Sequence, residues 1–256
     1  MASKLITLVR NLQQRKGRKR SPYAVAEGIR LVEEALQADV AVEGAVVCPA
    51  LLKTSRGTEL IAEIAAHAVP IEEVEDRAFG ELASTDTPQG VLVVVEPPRF
   101  DIREIQPQPK RPVLVVDGVQ DPGNLGALLR TAHGLGTPGV VLLKGTADPS
   151  NPKVLRAGMG ASFRLPTVRV ADGELKAWSD TNGVTLWVAT MDGTPLARTR
   201  PPEKLAIIVG NEGAGVRQEV DDMARKRVTI PLARGVESLN VAVAAGIFLY
   251  EVQRAG

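Results

Sequence analysis

The pattern of apolar and polar positions is most distinctive over residues 205–250. Two short apolar runs, at residues 205–209 and 228–230, are each closed by Gly or Pro, which is typical of buried strands. A loop of small and polar residues follows each run: GNEGAG after the first, and a loop containing Glu237-Ser238-Leu239-Asn240 after the second. Ligands in α/β sheets bind between such strand-end loops, so this stretch predicts a binding site.

A helix that is apolar on every side begins at Val241. Its apolar run is well short of the roughly 20 residues that a membrane span needs, so the pattern predicts a buried core or interface helix. Ser238 or Asn240 can cap its first turn, because both side chains accept hydrogen bonds from the free amide groups there. A capping role and a role in the binding crevice are both open for these two residues.

Three further apolar runs upstream predict strands at residues 113–118, 139–144 and 185–190. The five strands alternate with helical segments, which predicts an α/β fold with a mostly parallel sheet covered on both faces. We assign this domain to residues 113–256. The preceding segment, EPPRFDIREIQPQPKRP, contains five Pro and no periodicity, so we interpret residues 98–112 as a linker.

The N-terminal part, residues 1–97, has its own alternation of elements. Residues 23–38 follow a helical pattern, residues 45–48 form a short apolar run, and TPQGVLVVV at residues 87–95 predicts a turn and a clear strand. Two more helices are marked by apolar residues in between, namely Leu60, Ile61 and Ile64 in one, and Phe79 and Leu82 in the other. This alternation predicts a second, smaller α/β domain.

The net charge of +1 is not typical of a nucleic-acid-binding protein, but the basic residues are unevenly distributed. Residues 1–30 carry eight Lys or Arg and one Glu, whereas residues 31–97 carry three against thirteen Asp or Glu. RNLQQRKGRKR, residues 10–20, has six basic residues and no acidic one. Such a run is a solvated arm or a segment that contacts RNA phosphates. We favour the second, with these candidate contacts: Arg15, Lys16, Arg18, Lys19 and Arg20.

The single cysteine, Cys48, excludes a disulfide within one chain and fits a reducing compartment. The two histidines, His67 and His133, lie far from it in the sequence, so no metal-ligand cluster is expected. The N-terminus has no apolar core of a secretory signal, and a cytoplasmic location is predicted.

One predicted helix carries a distinctive arginine. In DPGNLGALLRTAHGLG, residues 121–136, Asn124 is a candidate cap, and Gly126, Arg130 and Gly134 recur every fourth residue. Glycine inside a helix costs about 1 kcal/mol, so two of them favour an open functional space beside Arg130 over a surface salt bridge. GLGTPG nearby fits G-x-G-x-x-G, but it precedes a strand, which is the reverse of the order in a dinucleotide site.

Three motifs in order, DPGNLGALLRTAHGLG, GNEGAG and IPLARGVESLNVAVA, resemble those of the SpoU, or TrmH, family of RNA ribose 2′-O-methyltransferases. AEGIRLVEEAL and TPQG resemble the N-terminal RNA-binding domain of many members, which is akin to kink-turn-binding ribosomal proteins. Arg30 is thereby a further candidate RNA contact, although Glu27, Arg30 and Gln89 also suit ordinary surface and turn positions. The resemblance implies a deep trefoil knot of the SPOUT type, S-adenosyl-L-methionine as methyl donor without a metal, and a homodimer through the knot region.

The implied reaction is methylation of a ribose 2′-hydroxyl, with large-subunit ribosomal RNA as the favoured substrate and transfer RNA as an alternative. The resemblance assigns cofactor binding to Thr190, Gly210, Ile230, Leu232 and Leu239, and catalysis to Arg130, Asn124, Glu212, Ser238 and Asn240. A guanidinium pKa above ~12 makes Arg130 a poor base, so we expect it to clamp the phosphate and stabilise the 2′-oxyanion. Asn124 would orient Arg130 or the ribose. Glu212 would orient Arg130 or cap the turn in which Glu212 itself lies. A non-catalytic RNA-binding protein and a small-molecule or protein methyltransferase are the alternatives from other classes.

Overall fold

The computed structural model describes residues 3–254, which form two compact units. The first unit contains the residues up to Pro98 together with Asp148–Arg164. The second contains Arg99–Ala147 and the residues from Leu165 onward. The sequence placed residues 148–164 in the C-terminal domain, whereas the structure packs them within the first unit.

Each unit is built around its own sheet. The strands of the described range are β1 (Ala24–Glu27), β2 (Ala41–Val47), β3 (Ile71–Glu73), β4 (Val91–Glu96), β5 (Val113–Val116), β6 (Val140–Leu142), β7 (Thr167–Arg169), β8 (Thr185–Pro195), β9 (Leu205–Val209) and β10 (Lys226–Thr229). Its α-helices are α1 (Lys4–Gln13), α2 (Arg15–Arg18), α3 (Ile29–Gln37), α4 (Ser55–Ala66), α5 (Asp76–Leu82), α6 (Pro122–Gly134), α7 (Pro152–Gly158), α8 (Ala161–Arg164), α9 (Asp172–Asn182), α10 (Gln218–Asp221) and α11 (Val241–Arg254). Short 3-10 turns lie at Pro49–Lys53, Ile102–Glu104 and Leu196–Arg198.

The sheet of the first unit has the strand order β1-β4-β2-β3, in which only β2 and β3 run parallel. Successive residues of a strand point to opposite faces, and both faces of this sheet are covered. On β4, Val91, Val93 and Val95 join a cluster that includes residues of α3 and α4, whereas Leu92 and Val94 join a cluster with residues of α1 and α5. The continuous apolar run of β4 follows from this burial on both sides.

The helix predicted over residues 23–38 is wrong in its first part. Ala24–Glu27 is the strand β1, paired antiparallel with β4, and the helix begins only at Ile29. Gly28 separates the two elements with a φ of 99°, a conformation that favours glycine. The Gln89 side chain accepts a hydrogen bond from the Ile29 amide at 3.0 Å, so its oxygen caps the helix start.

The basic N-terminal run lies in α1 and α2 and is part of the folded unit. Helix α1 buries Val9 and Leu12 in the cluster beneath the sheet. Arg18, predicted to contact RNA, is only 7% exposed. Its guanidinium donates to Asp148 at 2.9 Å and to the carbonyls of Leu12 and Gln13 at 3.1 and 2.9 Å. The remaining predicted contacts, Arg15, Lys16, Lys19 and Arg20, and also Arg30, are exposed.

Residues 148–164 belong to the first unit through both apolar and polar contacts. Leu155 of α7 and Phe163 of α8 are buried in the cluster that covers β4. Arg156 donates to the Ser84 hydroxyl at 2.9 Å, and the same hydroxyl donates to Glu27, which is 3% exposed. Thr85 also donates to Glu27, at 2.5 Å. The carboxylate at the end of β1 is thus satisfied by hydrogen bonds.

The sheet of the second unit has six parallel strands in the order β10-β8-β9-β5-β6-β7. The sequence predicted five of them and missed β7, which has only three residues. Val113 and Val115 of β5 pack with Leu175 and Trp178 of α9. Leu114 and Val116 point to the opposite face and are also fully buried, so β5 is covered on both sides.

The proline-containing segment at residues 98–112 lies in the second unit from Arg99 onward. Ile102 and Ile105 are buried in the core of that unit, and Phe100 packs against it. The segment has little regular structure, as a linker would, but these three side chains fix it to the sheet. No helix in the described range combines the length and the hydropathy needed to span a membrane.

We predict that Arg18→Met lowers the free energy of unfolding of the first unit by about 2–4 kcal/mol, because it leaves the Asp148 carboxylate and two carbonyls without their donor. Lys19→Met, next to it but exposed, is the control and should change little. Burial opposes the charge of Asp148, but hydrogen bonds from Ser150 and Arg18 outweigh burial and lower its pKa. The difference between wild type and Arg18→Met should therefore be full above about pH 4 and shrink as the pH falls through the folded-state pKa. Equal urea midpoints of unfolding for Arg18→Met and Lys19→Met would contradict a structural role for Arg18.

Candidate functional site

A cavity of about 630 Å³ lies at the carboxyl ends of β8, β9 and β10. Its walls are the middle of β8, residues of β10, the segments that follow β9 and β10, and residues of α10 and α11. The five residues that the resemblance assigned to cofactor binding all line this cavity: Thr190, Gly210, Ile230, Leu232 and Leu239. The volume lies in the range that is typical of small-molecule sites.

The loop after β9 is closed tightly on itself. The amide of Asn211 donates to the carbonyl of Gly215 at 2.9 Å, and the Gly215 amide donates back at 2.9 Å. The Asn211 side chain accepts from the amides of Gly213 and Ala214, both at 3.0 Å, and donates to the Gly118 carbonyl at 3.1 Å. A Cβ at Gly210 would lie 2.2 Å from the carbonyl carbon of Gly215. The GNEGAG motif therefore needs glycine at its first position to bring the backbone to the cavity.

A buried ion-pair network anchors the other end of this loop. Asp117, directly after β5, is fully buried and accepts from the Arg217 amide at 2.8 Å and from its Nε at 2.7 Å. The same guanidinium makes two bonds to Asp172, at 2.9 and 2.8 Å. The bonds to Asp172 are the main reason that the Arg217 pKa is raised, with Asp117 adding to the effect against burial. Sequence reasoning missed this network, although an aspartate that ends an apolar strand is a signal for it.

Three side chains from the three motifs meet beside the cavity. Asn124 donates from Nδ2 to Glu212 at 2.5 Å and accepts at Oδ1 from the Asn240 amide group at 2.9 Å. Glu212 itself lines the cavity. The contacts span 88 and 116 residues of sequence. The structure thus brings Asn124, Glu212 and Asn240 together in one hydrogen-bonded cluster.

The capping roles are distributed differently from the prediction. Asp121 caps α6, accepting from the amide of Asn124 at 2.8 Å, so the prediction of Asn124 as the cap is wrong. Asn240 accepts from the amides of Ala242 and Val243 at 2.9 and 3.4 Å. It therefore caps α11 and also belongs to the cluster, which combines the two alternatives drawn from the sequence. Ser238 is exposed and lines the cavity.

Arg130 lies on α6, is exposed, and is not among the residues that line the cavity. Six residues along a helix correspond to a rotation of about 240°, so Arg130 and Asn124 face different directions. Glu212 bonds to Asn124, and within residues 3–254 the Arg130 guanidinium has no hydrogen-bond or ion-pair partner. The described part of the chain therefore contains no bond from Glu212 or Asn124 to Arg130, and a role of either residue in orienting Arg130 stays a prediction.

Strand β8 bulges beside the cavity. Its pairing with β10 jumps from Val188 to Thr194, which leaves the intervening residues outside the ladder. Thr190 donates from its hydroxyl to Asp192 at 2.6 Å, and this bond is the main cause of a lowered pKa of Asp192. The bulge carries Thr190 and Met191 to the cavity wall. Within the part of the chain that the structure describes, no group of three or more His, Cys, Asp or Glu is placed to hold a metal ion.

We predict that Gly210→Ala weakens the binding of S-adenosylmethionine by more than roughly tenfold, a loss of about 1.4 kcal/mol or more, because the new methyl group collides with the Gly215 backbone. Gly213→Ala is the matched control in the same loop, since its Cβ would find its nearest neighbour at 3.7 Å. Isothermal calorimetry measures both. Equal affinities for the two variants would mean that this loop does not form the methyl-donor site.

Comparison with known families divides the chain in two. The SpoU rRNA Methylase family matches residues 111–250, and the MRM3-like substrate binding domain matches residues 4–93. A 23S rRNA (guanosine(2553)-2′-O)-methyltransferase, RlmP, from Bacillus subtilis is 36% identical over 95% of this chain and 94% of its own length. The human mitochondrial rRNA methyltransferase 3 is 30% identical over 98% of this chain and 71% of its own length.

Solved structures agree along the whole chain. An AdoMet-bound rRNA methyltransferase from Sinorhizobium meliloti superposes with a TM-score of 0.84, at 29% identity over 97% of this chain and 94% of that one. The SpoU methyltransferase AviRb from Streptomyces viridochromogenes, in complex with AdoMet, gives 0.86 at 26% identity, over 99% and 98% of the two chains. This chain belongs to the SpoU rRNA methylase family.

Proposed function

We propose that this protein transfers the methyl group of S-adenosylmethionine to a ribose 2′-hydroxyl of ribosomal RNA. The observation that carries the proposal is the cluster of Asn124, Glu212 and Asn240, in which one residue from each of three distant motifs meets at the edge of the cavity. A binding protein without activity has no need to join these polar groups beside a small-molecule cavity. The relatives named as rRNA 2′-O-methyltransferases support ribosomal RNA over transfer RNA.

The cavity suits S-adenosylmethionine in its chemistry. The closed loop after Gly210 presents backbone groups to it, and Ile230, Leu232 and Leu239 supply aliphatic walls. Backbone donors and acceptors suit the edge of an adenine ring, and aliphatic side chains suit its faces. When bound, the sulfonium of this molecule supplies an electrophilic methyl group.

The chain's own residues position the substrate and stabilise charge. Two hydrogen bonds fix the Asn124 amide, one to Glu212 and one from Asn240, so that it is held for the ribose without reorganisation. Ser238 is exposed at the cavity, where its hydroxyl is available to the substrate. Arg130 lies outside the cavity lining, and its motif is what supports its role: its exposed guanidinium clamps the phosphate beside the target ribose and stabilises the 2′-oxyanion, while phosphate or water takes the proton.

RNA binding is assigned to the first unit, which contains the residues of the substrate-binding match. Five of its exposed basic side chains are assigned to phosphate contacts, namely Arg15, Lys16, Lys19, Arg20 and Arg30. Arg18 is not among them because its guanidinium is already used in the fold. A trefoil knot in the second unit and a cytoplasmic location complete the proposal; the knot rests on the family resemblance, and the location rests on a ribosomal substrate.

A homodimer through α11 is part of the same proposal. Val243, Ile247 and Tyr250 are 53%, 36% and 50% exposed, and their spacing puts them on one face of the helix. The opposite face is buried against α6 and β9. An exposed apolar stripe on a helix of this kind is typical of a protein–protein interface.

We predict that Arg130→Ala slows methyl transfer to protein-free ribosomal RNA by about 100-fold or more, as expected for the loss of an oxyanion donor. Arg130→Lys should keep part of the rate, because lysine retains the charge but not the planar fork. Arg99→Ala, another exposed arginine of the second unit, is the control and should keep the wild-type rate. All three variants should bind S-adenosylmethionine as wild type does.

Single-turnover rates against pH separate charge from base catalysis. A lysine at position 130 that acts as a base would recover the wild-type rate as the pH rises towards about 10. That recovery would overturn the charge role of Arg130. A wild-type protein that binds both ligands but methylates no ribosomal RNA would overturn the proposed function itself.

We predict that Ile247→Glu converts a dimer of the 27.2 kDa chain into a monomer, because burying a carboxylate without a partner in an apolar interface costs several kcal/mol. Leu52→Glu, at an exposed apolar position of the first unit, is the control. Light scattering at micromolar concentration measures both. A wild-type monomer under these conditions would contradict the dimer.

A further inference from the structure

A second concave surface lies at the other end of the strands that carry the cavity. This groove, of about 520 Å³, is lined by Thr185, Trp187, Arg200, Pro201, Pro202, Glu203, Arg225 and Lys226. The groove residues lie near the start of β8 and β10 and in the segments before β9 and β10, whereas the cavity residues lie further along β8 and β10 and from the last residue of β9 onward. All three strands run parallel, so the groove lies towards their amino-terminal ends and the cavity towards their carboxyl-terminal ends.

The groove carries three cations and one carboxylate. Arg200 and Arg225 are exposed, and in the part of the chain that the structure describes neither guanidinium has a hydrogen-bond or ion-pair partner. Elsewhere in the second unit, the guanidiniums of Arg217 and Arg227 are paired with aspartates. Two arginine forks in one concave surface are therefore available to an anionic ligand.

The shape of the groove is fixed by rigid parts of the fold. Trp187 is 4% exposed, and the Lys226 ammonium lies 5.5 Å from the centre of its ring, which holds the lysine over the floor of the groove. Pro201 and Pro202 have restricted backbones and form a wall. The Lys110 amide bonds to the Glu203 carbonyl at 3.3 Å and ties this wall to the segment before β5. Little conformational entropy is lost when such a surface binds a ligand.

The groove and the cavity share two strands. Trp187 lines the groove and the next residue, Val188, lines the cavity; Lys226 and Arg227 of the edge strand β10 divide in the same way. The four residues of β10 span about 13 Å. A chain-like ligand that places its reacting residue in the cavity and continues past β10 would reach the groove with a residue only a few positions away along the ligand.

We propose that this groove binds the phosphate backbone of the RNA substrate at a second point, away from the methylated nucleotide. The inference rests on the proposed function, because an RNA whose ribose enters the cavity must lie against the second unit. The arginine forks match phosphate oxygens, and the lysine adds a point charge. The groove contributes affinity and orientation and does not read the sequence of bases.

The test compares two variants that lose the same charge. In the groove variant Arg200, Arg225 and Lys226 are all replaced by Gln; in the control variant Lys53, Arg77 and Arg99, which are exposed elsewhere, are replaced by Gln. Binding of protein-free 23S rRNA is measured at several salt concentrations. Each lost phosphate contact lowers the slope of log affinity against log salt by roughly 0.7–0.9, so the groove variant should lose about two units of slope and at least about tenfold in affinity at physiological salt.

Further readouts separate the groove from a general effect of charge or folding. The KM for rRNA should rise in the groove variant, while its affinity for S-adenosylmethionine and its unfolding midpoint should match those of the control. Oligouridylates of increasing length should show the difference between the variants only once they are long enough to reach from the cavity to the groove.

Three outcomes would decide the matter. Equal salt slopes and affinities for the two variants would overturn the inference that the groove binds RNA. The proposed function would stand in that case if the wild type methylates rRNA. Binding of polyglutamate that depends on the groove, with RNA binding unchanged, assigns the surface to an acidic protein and also overturns the inference. A groove-dependent salt slope in a protein that methylates no rRNA supports the groove while it overturns the proposed function.

Discussion

The arrangement of the second unit depends on one buried carboxylate. Asp117 has no exposed surface at the end of β5, and Arg217 donates to both of its oxygens. Removing one partner of such a pair costs about 3–5 kcal/mol, because the other is left buried without compensation. Arg217 directly follows the closed loop after β9 and also binds Asp172 at the start of α9. Arg217 therefore fixes the positions of the end of β5, the closed loop after β9 and the start of α9 relative to one another. Because this loop lines the cavity, the same contacts fix the cavity wall.

The sequence could single out residues that meet beside the cavity because they are concentrated in short motifs. Gly210 has no room for a side chain, and Asn124, Glu212 and Asn240 satisfy one another, so the motifs contain residues that few alternatives could replace. Apolar runs at residues 113–118, 205–209 and 228–230 predict buried strands for the same reason, since a strand covered on both faces must be apolar throughout. Composition alone predicts neither the cavity nor the cluster.

Other features could not be read from local pattern because tertiary contacts decide them. Arg18 stands among exposed basic residues and differs from them through its contacts with the Leu12 and Gln13 carbonyls and with Asp148, 130 residues away. Phe100 and Ile105 sit between prolines without periodicity, and only the adjacent sheet makes them core residues. β1 is rich in alanine, so its helical propensity is overridden by pairing with β4. Arg130 was placed in the reaction by its motif, whereas its position outside the cavity depends on the rotation of α6.

The insertion of residues 148–164 into the first unit has a consequence for the chain as a covalent object. The polypeptide passes from one unit to the other after Pro98, returns after Ala147 and leaves again after Arg164. A single cut at residue 98 therefore yields two incomplete halves: the N-terminal piece lacks Leu155 and Phe163, and the C-terminal piece carries these apolar side chains without their partners. The two units are thus poor modules for exchange by simple fusion, and an exchange that preserves both cores needs three junctions.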